Sequence, residues 1–238
     1  MHSRFLIFSV VLFLLPSALL ASAERQRSDV AEPIPIVKGV APIDTIDDGS
    51  FEDGSPNSFW TEASSNFGTP LCDAISCGGT GGGTGPNTGL FWAWFGGIAA
   101  AETGSVSQDI QMTDGGTATL DFFLEIPAAS GNGVDFLELR VDGNVEWSVL
   151  ENAAGFATYA PVSVDLSAYA DGAVHTLEFT STITGAPALS NFFLDDVSLS
   201  VTPPSTTTAA DIPTLDQIGL GALLLLIAFA GVAVMRHS

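Results

Sequence analysis

Apolar residues recur at every second position through the middle of this chain. From Thr117 to Ile126, Ala118, Leu120, Phe122, Leu124 and Ile126 point one way and Thr117, Thr119, Asp121 and Glu125 the other, with Phe123 breaking the pattern. Leu137, Leu139 and Val141 alternate with Glu138 and Arg140; Val162, Val164 and Leu166 with Ser163 and Asp165; Leu177 and Phe179 with Thr176, Glu178 and Thr180. Val106, Ile110 and Met112 mark another strand, and Phe193, Val197, Leu199 and Val201 share one face near the end of the series. A period of two is that of a half-buried strand. Asp142-Gly143-Asn144, between Val141 and Val145, signals a hairpin turn. No helical stripe of useful length interrupts the series. Many strands with one apolar face each need a second sheet to bury that face. The pattern therefore predicts an all-β, two-sheet β-sandwich over residues 44–202, wound as a jelly roll.

The two ends follow other patterns. Met1 to Ala23 has a positive start at Arg4, a short apolar run from Phe5 to Leu15 and a small-x-small cleavage site at Ala21-Ser22-Ala23. That is the layout of a secretory signal peptide. Ile218 to Met235 runs for 18 residues without a charge. As a helix it measures about 27 Å, enough to cross a hydrocarbon core of about 30 Å. Leu223 to Ile227 offers no polar face, which excludes a buried amphipathic helix. Arg236 and His237 follow, and positive residues stay on the cytoplasmic side, so the main body faces outward. Two spacers flank that body: 24–43, with Pro33, Pro35 and Pro42, and the Pro/Thr-rich 203–211.

Charge sharpens the picture. The chain has 27 Asp+Glu against 6 Lys+Arg, a net charge of −21. Phosphate binding needs clustered Lys and Arg, so nucleic acid is excluded as a partner. Between Asp44 and Val201 lie 22 acidic residues and one base, Arg140, so the whole excess sits on the body. With 46% hydrophobic content and 16 Phe, the composition is that of a chain with a core, not of a disordered one. An acidic coat suits a solvated extracellular surface, or one that gathers cations.

Ile212-Pro213-Thr214-Leu215 stands just before the apolar run. Tetrapeptide, spanning helix and basic tip resemble the IPTL-CTERM protein-sorting signal of Gram-negative bacteria over Ile212 to Ser238. Two features depart from it: Ile218 stands where that family usually carries Trp, and the tip has one Arg rather than a cluster. The resemblance implies a membrane-anchored precursor, cut by an exosortase-like transpeptidase and delivered to the cell surface or beyond. Pro213 keeps the tetrapeptide out of the helix. A permanent single-pass anchor is the alternative.

A second resemblance covers most of 44–201. Gly49-Ser50-Phe51-Glu52-Asp53-Gly54 followed by Trp60, then Phe91-Trp92-Ala93-Trp94-Phe95-Gly96-Gly97, Ser105 to Ile110, Asp165 to Tyr169 and Phe192 to Leu199, are similar in order and spacing to carbohydrate-binding-module-like jelly rolls, akin to galactose-binding and MAM-type sandwiches. It implies a calcium ion where the first and last strands meet. Such folds host many functions, so the ligand is not settled by it.

Few residues carry chemistry. Cys72 and Cys77 are the only cysteines, and in an exported protein they are expected to form a disulfide. Two thiolates with no nearby His do not close a zinc shell. Gly78 to Gly89 lacks the Lys-Ser/Thr of a phosphate cradle and reads as a pinned surface loop, able to form a binding rim. Trp92 and Trp94 are ligand candidates because an indole plane matches the apolar face of a sugar. In an alternating strand, either that pair or Phe91 and Phe95 faces the core. Glu52, Asp195 and Asp196 are the candidate metal residues. Asp195 is in phase with Phe193 and Val197, a buried carboxylate needs a partner, and oxygen ligands favour Ca²⁺. Solvated edge carboxylates are the alternative. His175 is the body's single histidine, no Gly-x-Ser-x-Gly elbow accompanies it, and no carboxylate pair is singled out for glycoside hydrolysis. The expectation is a non-catalytic, surface-sorted module that binds carbohydrate or exopolysaccharide. A structural or adhesive matrix protein with a surface-protein partner, or a secreted hydrolase, are the alternatives.

Overall fold

The computed structural model describes residues 24–25 and 41–205. The expected leader (1–23), most of the first spacer, the end of the second, the Ile212-Pro213-Thr214-Leu215 motif and the 218–235 helix lie outside these residues. Among the described residues no helix is long and apolar enough to cross a membrane. The chain divides into two compact units, Met1–Pro204 and Ser205–Ser238, and the fold below is that of the first.

Ten strands follow one another: β1 (Thr61–Ser64), β2 (Leu71–Asp73), β3 (Phe91–Gly96), β4 (Glu102–Gln111), β5 (Thr117–Ala128), β6 (Phe136–Val141), β7 (Asn144–Leu150), β8 (Ala160–Asp165), β9 (Val174–Ile183) and β10 (Asn191–Thr202). One 3₁₀ turn, Ser167–Tyr169, is the single helical element among the described residues. Sheet I runs β1-β4-β9-β6-β7 and sheet II runs β2-β3-β10-β5-β8, with antiparallel neighbours throughout. From β3 onward the strands wrap in pairs between the sheets, so that β3 and β10 become neighbours. That is jelly-roll winding.

Alternation decides the core. Ala118, Leu120, Phe122, Leu124 and Ile126 of β5 meet Leu137, Leu139 and Val141 of β6 and Leu177 and Phe179 of β9 between the sheets, all buried. Phe122 packs edge-on against Phe179 with centroids 5.0 Å apart. The β6–β7 hairpin turns at Asp142 (φ +51°) and Gly143 (φ +80°), the two left-handed residues its tight loop needs.

Two features depart from the sequence pattern. Phe193 does not share a face with Val197. In β10 the pairing with β5 slips by one residue between Asp195 and Ser198, at Asp196 with φ +50°. A bulge of this kind flips every later side chain. Phe192 and Leu194, then Val197 and Leu199, therefore enter the main core, while Phe193 joins a separate cluster. The second departure is Arg25, which lies in the expected spacer but is 7% exposed and bonded into the fold.

Candidate functional site

Sheet II has a covered outer face. In β3, Ala93 and Phe95 face the main core, which turns Trp92 and Trp94 outward. Neither meets solvent, because the glycine-rich segment after β2 folds back over them. The Cys72–Cys77 disulfide ties the start of that segment to β2, as expected. Further along, Gly81 accepts from Asn191 Nδ2 (2.9 Å), and Asn191 Oδ1 accepts from Trp94 Nε1 (2.9 Å). Thr84 donates its N–H to Glu125 (3.1 Å), and Tyr159 donates its hydroxyl to the Gly85 carbonyl (2.7 Å). Gly81 stands at φ +57°, and a Cβ there would come within 2.4 Å of the Trp94 ring. The glycines let the loop lie flat on the indoles.

The proposed ligand residues are thereby corrected. Trp92 and Trp94 are stacked at 6.2 Å with rings 16° apart, packed on Phe193 and the disulfide, and essentially unexposed. They hold the loop and offer no face to a sugar. Alternation in β3 leaves one face for a ligand only if nothing covers it, and here both faces are buried. Trp92 Nε1 has no partner in this interior, a cost of about 1–3 kcal/mol.

The three acids named for calcium hold the same loop. Asp195 Oδ2 accepts from the N–H groups of Asn87 (2.7 Å) and Thr88 (3.2 Å), and its Oδ1 from Asp196 N (2.7 Å). Asp196 accepts from Asn87 Nδ2 (2.7 Å) and Thr88 Oγ1 (2.5 Å). Glu52 Oε1 accepts from Leu90 N (2.8 Å) and Phe91 N (2.9 Å). Among the described residues no group of three or more acidic, His or Cys side chains is placed to hold a metal ion. The partner that a buried carboxylate requires is supplied here by loop N–H donors, and these three residues do not fit a calcium centre built on their carboxylates. Their expected neighbourhood is nonetheless real: Val197 N donates to the Gly49 carbonyl (2.8 Å), joining the Glu52 turn to β10. Burial pushes the Asp195 carboxyl up to about 7, helped by the charge of Asp196 and opposed by the N–H donors. Burial also raises Glu125.

Beside the loop the outer face of sheet II opens. Phe123, the residue that breaks the alternation, stands opposite Asp195 on one side and Pro161 on the other. It is half-buried. Tyr159, in phase with Pro161 and Ser163, packs on the edge of the Trp92–Trp94 cluster and is partly exposed. Asp121 accepts a hydrogen bond from Ser163 across the strand pair. Phe123 thus shares the outer face of sheet II with Asp121 and Ser163, and Tyr159 lies within the field of Asp195, Glu125 and Asp196. Sequence reasoning flagged Phe123 only as an irregularity; its outward phase was the available signal.

Two further polar clusters lie elsewhere. His175 sits between Asp142 (Nδ1, 2.7 Å) and Asp171 (Nε2, 3.0 Å), which ties the β6–β7 turn to the start of β9. Burial works against its charge, but the two carboxylates prevail and raise its pKa. Asp135 and Glu151 both lie within hydrogen-bond reach of the single Ser190 hydroxyl proton, drawing their loops together. They are 0% and 2% exposed, so this carboxylate pair is closed to any substrate.

No family model matches this chain, and no curated protein matches it. Solved structures do resemble it. A family 61 carbohydrate-binding module in complex with β-1,4-galactotriose is 15% identical, with a TM-score of 0.44, covering 65% of this chain and 95% of that one. A cyclase from Fischerella sp. TAU is 15% identical, with a TM-score of 0.42, covering 68% and 97%. The K3 cleaved adhesin domain of Lys-gingipain from Porphyromonas gingivalis is 13% identical, with a TM-score of 0.40, covering 64% and 97%. At these identities and TM-scores the likenesses carry no inference about ligand or activity.

Proposed function

We propose that the folded body is a non-catalytic module that binds a neutral carbohydrate chain on the open part of sheet II. In this reading it is exported by the leader and presented at the cell surface through the IPTL-type signal, which an exosortase-like enzyme cuts. The observation that carries the ligand class is the make-up of the open face: Phe123 and Tyr159 beside carboxylates and hydroxyls. A sugar ring stacks its C–H face on an aromatic plane while its hydroxyls donate to oxygen acceptors. Neutrality follows from the net charge of −21, which repels a polyanionic polysaccharide at ordinary salt. A pull-down of the full chain on a panel of neutral and uronic-acid polysaccharides tests this. Retention on at least one neutral polymer is expected, and retention on none of them, or on the acidic polymers alone, overturns it.

A structural or adhesive role is the second reading. Ile75, at the tip of the disulfide loop, is 91% exposed and Leu90 is 70% exposed, and each offers an apolar side chain to a protein partner. The hydrolase alternative gains nothing from Asp135 and Glu151, which are sealed.

A further inference from the structure

Arg25 is held like a ligand. Its backbone N–H donates to the Gly97 carbonyl (2.6 Å). Its two terminal nitrogens donate to different carbonyls, Nη1 to Trp94 (3.0 Å) and Nη2 to Thr69 (2.6 Å). The guanidinium carbon lies 4.6 Å from the centre of the Phe67 ring and 5.8 Å from that of Trp94. Cation–π contact with two rings adds to a fork that a lysine cannot match. Burial pulls the group down to about 10, with Glu102 and Glu62 opposing, so it stays charged at neutral pH. Gly97 shapes the slot. At φ +79°, a Cβ there would come within 2.7 Å of the Arg25 Cβ and 2.9 Å of the Trp94 ring.

Arg25 lies outside the ten strands. Residues 26–41 separate it from Pro42, whose carbonyl accepts from Gln111 at the far end of β4. Seventeen residue steps reach up to about 56 Å, well beyond the roughly 33 Å length of a ten-residue strand. A connection long enough to span that distance can supply Arg25 to the slot at an effective concentration without covalently fixing it there.

We propose that Phe67, Thr69, Trp94 and Gly97 form an arginine-recognition slot. Its ligand is an arginine side chain together with that residue's own backbone N–H, supplied in cis by Arg25 and accepted from another polypeptide when Arg25 is withdrawn. This site is independent of the carbohydrate reading. Its test is a melting titration of the full chain carrying Arg25→Ala, with N-acetyl-arginine methylamide and N-acetyl-lysine methylamide as probes. The arginine probe is expected to raise the variant's Tm saturably, with a dissociation constant at least about tenfold below that of the lysine probe. The wild type, whose slot is filled, is expected not to respond. Should Arg25→Ala fail to fold, the same contest is run on Arg25→Lys, which keeps a charge on the tether but loses the fork. Equal response to both probes, an equal response of the wild type, or a variant that melts with the wild type overturns the proposal.

Discussion

Asp195 and His175 set demands on pH that run in the same direction at single-residue scale. The Asp195 carboxyl is raised to about 7 from the ordinary value of 3.8. The folded state therefore holds its proton more tightly than the unfolded one, and the resulting stability is lost as pH rises through 7. His175 is raised too, so its contribution is full below about 6.5 and fades above that. Asp142 and Asp171 are lowered, and their contribution fades only in acid, below about 4. The domain is thus expected to be most stable in mildly acidic solution. Asp195→Asn should flatten the decline between about pH 4 and 7, and His175→Gln the decline above it, in melting curves across that range. A melting temperature that climbs from pH 5 to 8 in wild type would contradict both assignments. Calcium is expected to leave the Asp195 slope in place; erasure of the slope by calcium, and its return with chelator, would restore the metal reading.

At the scale of elements, the loop from Cys72 to Leu90 matters most. It converts an outer sheet face into a second small core around Trp92, Trp94 and Phe193. Its disulfide closes a short loop, and Cys72→Ser is expected to cost about 2 kcal/mol by chain entropy, or roughly 4–8 °C for a domain of this size. The same variant should make the two indoles more accessible to acrylamide quenching. Unchanged quenching would show that the loop's hydrogen bonds, not its staple, keep the indoles covered. The sandwich and its main core were legible because β4, β5, β6 and β9 obey a period of two. β10 was not, since a single extra residue at Asp196 leaves no mark in composition yet shifts the phase from Phe193 to Val197. That slip is why Asp195 was assigned inward with the wrong neighbours. The disulfide was readable from two cysteines in an exported chain. The burial of Trp92 and Trp94 was not, because a covering loop made largely of glycine announces no partner in its own sequence.

For the whole molecule, charge and surface decide what it meets. The described residues carry 23 carboxylates, and their two arginines are both engaged, Arg25 in its slot and Arg140 with Glu138 at 2.6 Å. A surface so nearly devoid of free cations favours neutral partners and keeps copies apart. It leaves the aromatic-and-oxygen face of sheet II as the place where a sugar chain finds both packing and acceptors. On the proposed reading Phe123 and Tyr159 would supply the stacking, and the affinity for a retained polysaccharide would depend on the former's ring. The most direct measurement is isothermal titration of the full chain and its Phe123→Ala variant with soluble oligosaccharides of a retained neutral polymer. The account predicts binding by the wild type and an affinity lower by about tenfold or more in the variant, with the melting temperature of the empty protein little changed. Equal affinity in the two proteins would contradict it.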